Sequence, residues 1–263
     1  MKGLLEAVYV FAVLLWLAAC SSIAPPTNAS PEPTRFAALT WASNPEARVV
    51  LVTYCCPSPT TEELVRFYIP EAQLWGDGRF LWIEEDEDGA RHVFITRLEP
   101  AEVAALLQEI VASGFFEWDE AYQGEAVVDA ASTCLSANLV DQAKTVCETH
   151  GGTPVAFYNL IDRLSQGAGH SGNRYRPARA FVSGFQLGNV TGTRPAAALT
   201  WEETQAEGPA TRILSGFWLE GSETLRLLWE AANEDPYHMP VVEDGDNLYR
   251  IILQVPGVSW IEP

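Results

Sequence analysis

Thiols are the most reactive side chains in this sequence, and their spacing limits what they can do. Cys55 and Cys56 are adjacent, Cys134 and Cys147 stand far downstream, and Cys20 is alone near the start. Four thiolates could hold zinc. Zinc sites, however, are built on close pairs such as C-x2-C, and adjacent Cys55 and Cys56 point to opposite faces of any strand. No metal site is therefore expected, and disulfides are the expected chemistry in an oxidising compartment. Strand geometry then restricts the partners. With Val140 and Thr145 flanking the turn of a hairpin, Cys147 falls opposite Asn138, about 13 Å from Cys134 at ordinary strand rise. A disulfide needs Cα atoms within about 7 Å. The expectation is that Cys134 and Cys147 each bond to Cys55 or Cys56, with a kink near Pro57. A vicinal Cys55–Cys56 bond is the alternative.

Gly169-His170-Ser171-Gly172 comes near the G-x-S-x-G nucleophile elbow, but Asn173 replaces the last glycine and a linker surrounds it. His92, His150, His170 and His238 lack H-E-x-x-H spacing and read as solvated or core histidines. Two acidic turns offer Asp86, Asp88, Asp244 and Asp246 as calcium ligands. Calcium takes about six to eight oxygens, and neither turn has EF-hand spacing. Charged hairpin tips that block edge pairing are the competing reading. Trp41, Trp75, Trp82, Trp118, Trp201, Trp218, Trp229 and Trp260 make the body rich in tryptophan. Such rings stack on sugars when exposed, and most large aromatics pack in cores.

Cys20 belongs to a separate pattern. Lys2 precedes an apolar run from Ala7 to Ala19, the length of a signal-peptide core and short of the roughly 20 residues that span a bilayer. The run closes on Leu17-Ala18-Ala19-Cys20, which resembles the lipobox of bacterial lipoprotein precursors. The resemblance implies that residues 1–19 are a removed signal peptide. It also implies a diacylglyceryl group on the Cys20 sulfur and an acylated new amino terminus, so that lipid on Cys20 joins the chain to a membrane. Two acyl chains anchor stably where one is marginal. Residues 20–46, rich in Pro, Ala, Ser and Thr, read as a disordered tether.

The chain has 263 residues and a net charge of −19. Residues 1–19 contain one lysine and one glutamate, so their removal leaves the charge unchanged. A body this acidic is repelled by nucleic acid and by anionic headgroups, which excludes nucleic acid as a partner. With 48% apolar residues, it has enough material for a sizeable core. No cofactor is expected.

The elements follow from periodicity and turn signals. Arg48–Tyr54 is a β-branched run with the look of a buried strand. Asp77-Gly78 between two apolar runs predicts a type I′ hairpin, and Glu84–Gly89 a second one leading into Arg91–Thr96. Pro100 opens a helix with Val103, Leu106, Leu107, Ile110 and Val111 inward, closed by Gly114. Thr133–Val140 and Thr145–His150 pair as a hairpin. Thr153 and Pro154 then cap and start a helix with Phe157, Leu160, Ile161 and Leu164 inward. The Gly- and Pro-rich stretch 166–177 is the candidate boundary. Beyond it come a strand at Ala180–Leu187, a helix from Glu223 to Ala232 and a last strand at Leu248–Val255.

Ile69-Pro70-Glu71, Leu74-Trp75-Gly76-Asp77-Gly78-Arg79, Gly114-Phe115, Tyr122, Asp129-Ala130 and Tyr249-Arg250 together resemble a group of uncharacterised bacterial lipoproteins. That group has no established activity, so the resemblance implies an envelope location and no catalytic residue. Where its members carry glycines after the first strand, this chain has Cys55-Cys56-Pro57.

The expected architecture is α+β, mainly antiparallel sheet with about three helices packed on it. Residues 47–168 form one lobe and 169–263 another, as separate units or as one interlocked domain. The expected role is a lipid-anchored envelope protein that binds a partner protein or glycan, or serves structurally. The alternative is a cell-surface hydrolase acting on glycan through acidic residues.

Overall fold

A computed structural model describes residues 39–55, 65–66, 68–124, 130–187, 199–234, 239–261 and 263. Leu39–Pro263 form one compact α+β unit. The first sheet comprises β1 (Arg48–Cys55), β2 (Ala72–Trp75), β3 (Arg79–Glu85), β4 (Arg91–Arg97), β5 (Ala121–Gln123), β6 (Ser132–Asn138), β7 (Ala143–Thr149) and β8 (Asn173–Arg174). Its spatial order is β5-β7-β6-β1-β2-β3-β4-β8, antiparallel throughout except between β5 and β7. The second sheet holds β9 (Arg179–Gln186), β10 (Leu199–Thr200), β11 (Phe217–Glu220), β12 (Val241–Asp244) and β13 (Asn247–Gln254), in the order β10-β12-β13-β9-β11. Only β10 and β12 run parallel there. Three described helices complete the fold: α1 (Pro100–Ala112), α2 (Val155–Ser165) and α3 (Glu223–Glu234). No described helix is long and apolar enough to cross a membrane.

The first sheet is buried on both faces over part of its width. Side chains alternate across a strand, so Phe80 and Trp82 of β3 enter one core while Leu81 and Ile83 enter another. The first core joins Val50, Val52, Leu74 and Leu135 to Val103, Leu107 and Ile110 of α1 and to Phe157, Leu160 and Leu164 of α2. The second joins Trp75, Leu81, Ile83 and Val93 to Val182, Ile251 and Leu253 of the second sheet and to Leu225, Leu228 and Trp229 of α3. Two-sided burial is why Phe80–Ile83 reads as a continuous apolar run and not as an alternation. On β6 the pattern is one-sided: Leu135 and Ala137 are buried, whereas Cys134 and Ser136 are partly exposed.

Turn chemistry departs from expectation in two places. The β2–β3 loop has three residues, Gly76 to Gly78, because Leu74 pairs with Phe80 and the Gly78 amide donates to the Trp75 carbonyl at 3.0 Å. Gly78 alone takes positive φ, at 85°, so the turn is a three-residue loop closed by a left-handed glycine, not type I′. Asp77 instead turns its carboxylate to the Arg79 amide and guanidinium and to Arg97. At α2, Pro154 occupies the cap position, and the Thr153 hydroxyl is buried without a hydrogen-bond partner, so Thr153 does not cap the helix. At α1, Pro100 starts the helix and the Glu102 carboxylate accepts from the Glu99 amide at 2.7 Å.

The expected cysteine pairing is corrected outright. Cys134 and Cys147 are disulfide-bonded to each other. β7 begins at Ala143, not at Thr145, and Asn138 pairs with Ala143, which places Cys134 directly opposite Cys147. β6 ends and β7 begins two residues earlier than expected, a four-residue change of register, and the Leu139 amide donating to the Gln142 carbonyl closes the turn. Bonded to each other, Cys134 and Cys147 are not partners of Cys55 or Cys56. Cys56 and the Cys55 side chain lie outside the described residues, as does His238.

Candidate functional site

Two side chains whose ionisation burial opposes, Tyr68 and Glu71, meet where β2 and β4 begin. Glu71 immediately precedes β2, and its carbonyl accepts from the Ile83 amide, so the β2–β3 ladder holds its backbone in register. Arg91 opens β4 and places Nη2 at 2.7 Å from both carboxylate oxygens of Glu71. Tyr68 donates its hydroxyl to Glu71 Oε1 at 3.4 Å and accepts the Tyr54 amide at 2.6 Å. The chain's end closes over the group: the Trp260 ring meets Tyr68 edge-on at 5.6 Å, and the Trp260 amide donates to the Tyr68 carbonyl. Arg48 donates to the carbonyls of Ser259 and Trp260, tying β1 to the same segment.

Burial sets the protonation states. It pushes the Glu71 carboxyl above its ordinary range, against the pull of the Arg91 charge and hydrogen bonds. The Tyr68 phenol is raised as well, first by burial and then by the Glu71 charge, so it stays neutral. Chemically, the cluster holds a proton on Glu71 more readily than an exposed glutamate would. It also clamps β1, β2, β4 and the C-terminal segment together.

A small surface cleft adjoins it, lined by Arg91, His92, Arg174, Tyr175 and Trp229. His92 links Asp86 and Arg174: its Nε2 lies 3.0 Å from Asp86 Oδ2, and the Arg174 guanidinium lies 2.7 Å from its Nδ1. A guanidinium can only donate, so in this arrangement Nδ1 is the ring atom facing a donor and Nε2 the one facing the Asp86 carboxylate.

The candidate calcium ligands are separated or otherwise engaged. Asp86 Oδ1 accepts the amides of Asp88 and Ala90, which shapes the β3–β4 turn. Asp244 accepts the Ala210 amide at 3.3 Å, while Asp246 is exposed at a tight turn whose positive φ is at Gly245. Among the described residues, no three His, Cys, Asp or Glu side chains are grouped to hold a metal ion. Ser171 follows a 3-10 turn and leads into β8, so no helix follows it, unlike a nucleophile elbow. His170 lies 3.7 Å from Glu102, and His150 sits at positive φ in the turn after β7.

Of the tryptophans, Trp75, Trp82, Trp201 and Trp229 are buried in the two cores. Trp41, Trp118 and Trp260 are half-buried, and Trp218 on β11 is 46% exposed. The Tyr68–Glu71–Arg91 cluster escaped the sequence reading of chemistry. Its one signal was Glu71 standing directly before the fully buried run Ala72–Trp75.

No family model, no curated protein and no solved structure matches the chain.

Proposed function

We propose that this chain is a lipid-anchored protein of a bacterial envelope that binds a partner, protein or glycan, outside the cytoplasm. The observation that carries the reading is the Cys134–Cys147 bridge, which leaves both cysteines partly exposed on the open side of β6 and β7. Such a bond persists in an oxidising space and is reduced in a bacterial cytoplasm. Leu17-Ala18-Ala19-Cys20, with the apolar run before it, supplies the matching address. The net charge of −19 opposes direct adsorption to anionic headgroups, leaving lipid on Cys20 as the hold on the membrane. Binding is favoured over hydrolysis because the perturbed Glu71 is held by Arg91 and Tyr68 beneath the C-terminal segment, with its charge already matched.

The test is to express the full chain and Cys20→Ala in a bacterial host that processes lipoproteins. The native chain should fractionate with membranes, begin at Cys20 and carry added acyl mass. Cys20→Ala should leave the membrane fraction. Intact residues 1–19 without lipid mass would overturn the anchor.

A further inference from the structure

Among the described residues, Trp218 and Leu214 are two of the few exposed large apolar side chains, at 46% and 51%; Trp218 lies on a short strand and Leu214 just before it. That strand, β11, is the outer edge of the second sheet: it pairs with β9 on one side and with no other described strand. Its sequence, Phe-Trp-Leu-Glu, carries no proline or lysine and no bulge, the usual devices that blunt an edge. Alternation along the strand sends Phe217 and Leu219 toward the second core and Trp218 and Glu220 to the other face.

Arginines flank this edge on both faces. The Arg212 guanidinium lies over the Phe217 ring at 4.5 Å from its centroid, and that of Arg179 lies over the Trp218 ring at 5.3 Å. Phe181 supports Trp218 edge-on at 5.5 Å. Both arginines are exposed, and Arg212 is tethered by the Glu207 carbonyl. One carboxylate on the strand, Glu220, stands beside them, directly across from Arg179. Exposed tryptophan and arginine are the residue types that carry most energy at protein interfaces. On a chain of net charge −19, two guanidinium groups ordered by stacking are a local exception to the prevailing field.

We propose that β11 is a docking edge for an extended, acidic peptide segment of a partner protein, which adds as a further strand to the second sheet. The main-chain hydrogen bonds of β-augmentation supply affinity, and alternate side chains supply specificity. Successive residues of the incoming strand fall on opposite faces, so carboxylates on one face meet Arg179 and those on the other meet Arg212. An apolar residue between them covers Trp218. The inference rests on the proposed binding role only in taking the partner to be a protein, and it does not depend on the lipid anchor.

The test uses the full-length protein in detergent micelles and a displayed library of random twelve-residue peptides. Selected peptides should be rich in Asp and Glu and free of proline at their centre. The double variant Arg179→Glu with Arg212→Glu should weaken the best of them by about tenfold or more, and added salt should weaken binding to the native chain. Trp218→Ala should weaken it similarly through lost contact. All three side chains are exposed, so the variants should stay folded, with only a small fall in melting temperature from the reversed charge at position 179 facing Glu220 and from the lost ring contacts. Hydrogen exchange separates strand addition from simple surface contact: bound peptide should slow the β11 amides. Enrichment of basic or uncharged peptides, binding that survives the double charge reversal, or unaltered β11 exchange would each overturn the proposal. So would no selection at all, or saturable binding of neutral oligosaccharides at Trp218 in place of peptide. None of these outcomes bears on the Cys20 anchor, whose failure would show in fractionation alone.

Discussion

Cys134 and Cys147 stand directly across the β6–β7 pair from each other, with Cα atoms 4.1 Å apart. Closely spaced Cα atoms mark the non-hydrogen-bonded pairs of an antiparallel ladder, where side chains approach most nearly. The bridge therefore closes a hairpin that the sheet already registers, and it stabilises chiefly by restricting the unfolded chain. For a loop of this length, with a sequence separation of 13, that is about 2–3 kcal/mol. Cys134→Ser with Cys147→Ser should lower the unfolding free energy by that amount, seen as a lower denaturant midpoint with a slope equal to or steeper than the native one, because the unfolded chain is freed. Reductant applied to the native chain should reproduce the loss. A midpoint indifferent to reductant would show that the bridge is not a constraint.

How much of this was legible in the sequence depends on what the pattern encodes. Helix α1 was legible almost to the residue, because Val103, Leu106, Leu107 and Ile110 face one way and Pro100 and Gly114 mark its limits. The cysteine pairing was not legible, because register hangs on the turn. Leu139 and Val140 look like strand residues. Val140, however, is 63% exposed at the hairpin end, and its amide is taken by the Thr40 carbonyl, a contact made across the fold. Edge strands β5 and β11 were missed because three or four residues give too little alternation to read. The Glu71 cluster was invisible for a related reason: Tyr54, Tyr68, Glu71 and Arg91 come from separate segments, and only strand pairing brings them together.

The Glu71–Arg91 pair gives a second prediction. A fifth or so of each side chain meets water, 22% for Glu71 and 16% for Arg91, so the cost of breaking the pair falls below the 3–5 kcal/mol of a fully buried one. Glu71→Ala should destabilise the fold by about 2 kcal/mol, because Arg91 is left mostly buried without its counter-charge. Glu71→Leu with Arg91→Met should cost clearly less than the sum of the single changes. Strict additivity in that double-mutant cycle would mean that the pair is not coupled.

The same carboxyl has a pH signature. Its value is raised in the folded state, so the fold binds a proton there more tightly than the unfolded chain does. That contribution is complete below the unfolded carboxyl value and disappears as pH climbs through the folded one. Stability of the native chain should therefore decline across that window relative to Glu71→Gln, which has no proton to lose. Parallel stability curves for the two proteins would count against a raised carboxyl.

Gly78 gives a backbone prediction. Its φ of 85° belongs to the left-handed region, and a Cβ there would lie 2.3 Å from the Leu98 carbonyl oxygen. Backbone cannot move aside as a side-chain tip would, since the Leu98 amide is itself bonded to the Gly78 carbonyl at 2.8 Å. Gly78→Ala should cost at least about 2 kcal/mol, combining left-handed strain with the steric clash. Gly151→Ala is the matching control. It has φ of 97° with nothing within 4 Å of the added carbon, so it should suffer the conformational cost alone. Equal losses for both would remove the steric part of the argument.

Asp77 has the opposite pH behaviour to Glu71. Partial burial by itself would raise its carboxyl. Hydrogen bonds from the Arg79 amide and guanidinium, with the charges of Arg79 and Arg97, outweigh that and hold it below the ordinary aspartate value of about 3.9. Because the folded value is depressed, the contribution is full above the unfolded value and is lost as pH falls through the folded one. Asp77→Asn should thus be less stable than the native chain near neutrality, and the gap should close as the solution is acidified below about pH 4. The site is well exposed on the Arg97 side, at 63%, so the gap should be no more than about 1 kcal/mol and should shrink in high salt. The arginines fix the sign of the effect: Arg79→Met should raise the Asp77 carboxyl toward its ordinary value, which carboxylate NMR titration can read directly. A carboxyl that titrates unchanged in Arg79→Met would remove Arg79 as the cause and leave the three-residue loop without its electrostatic clasp.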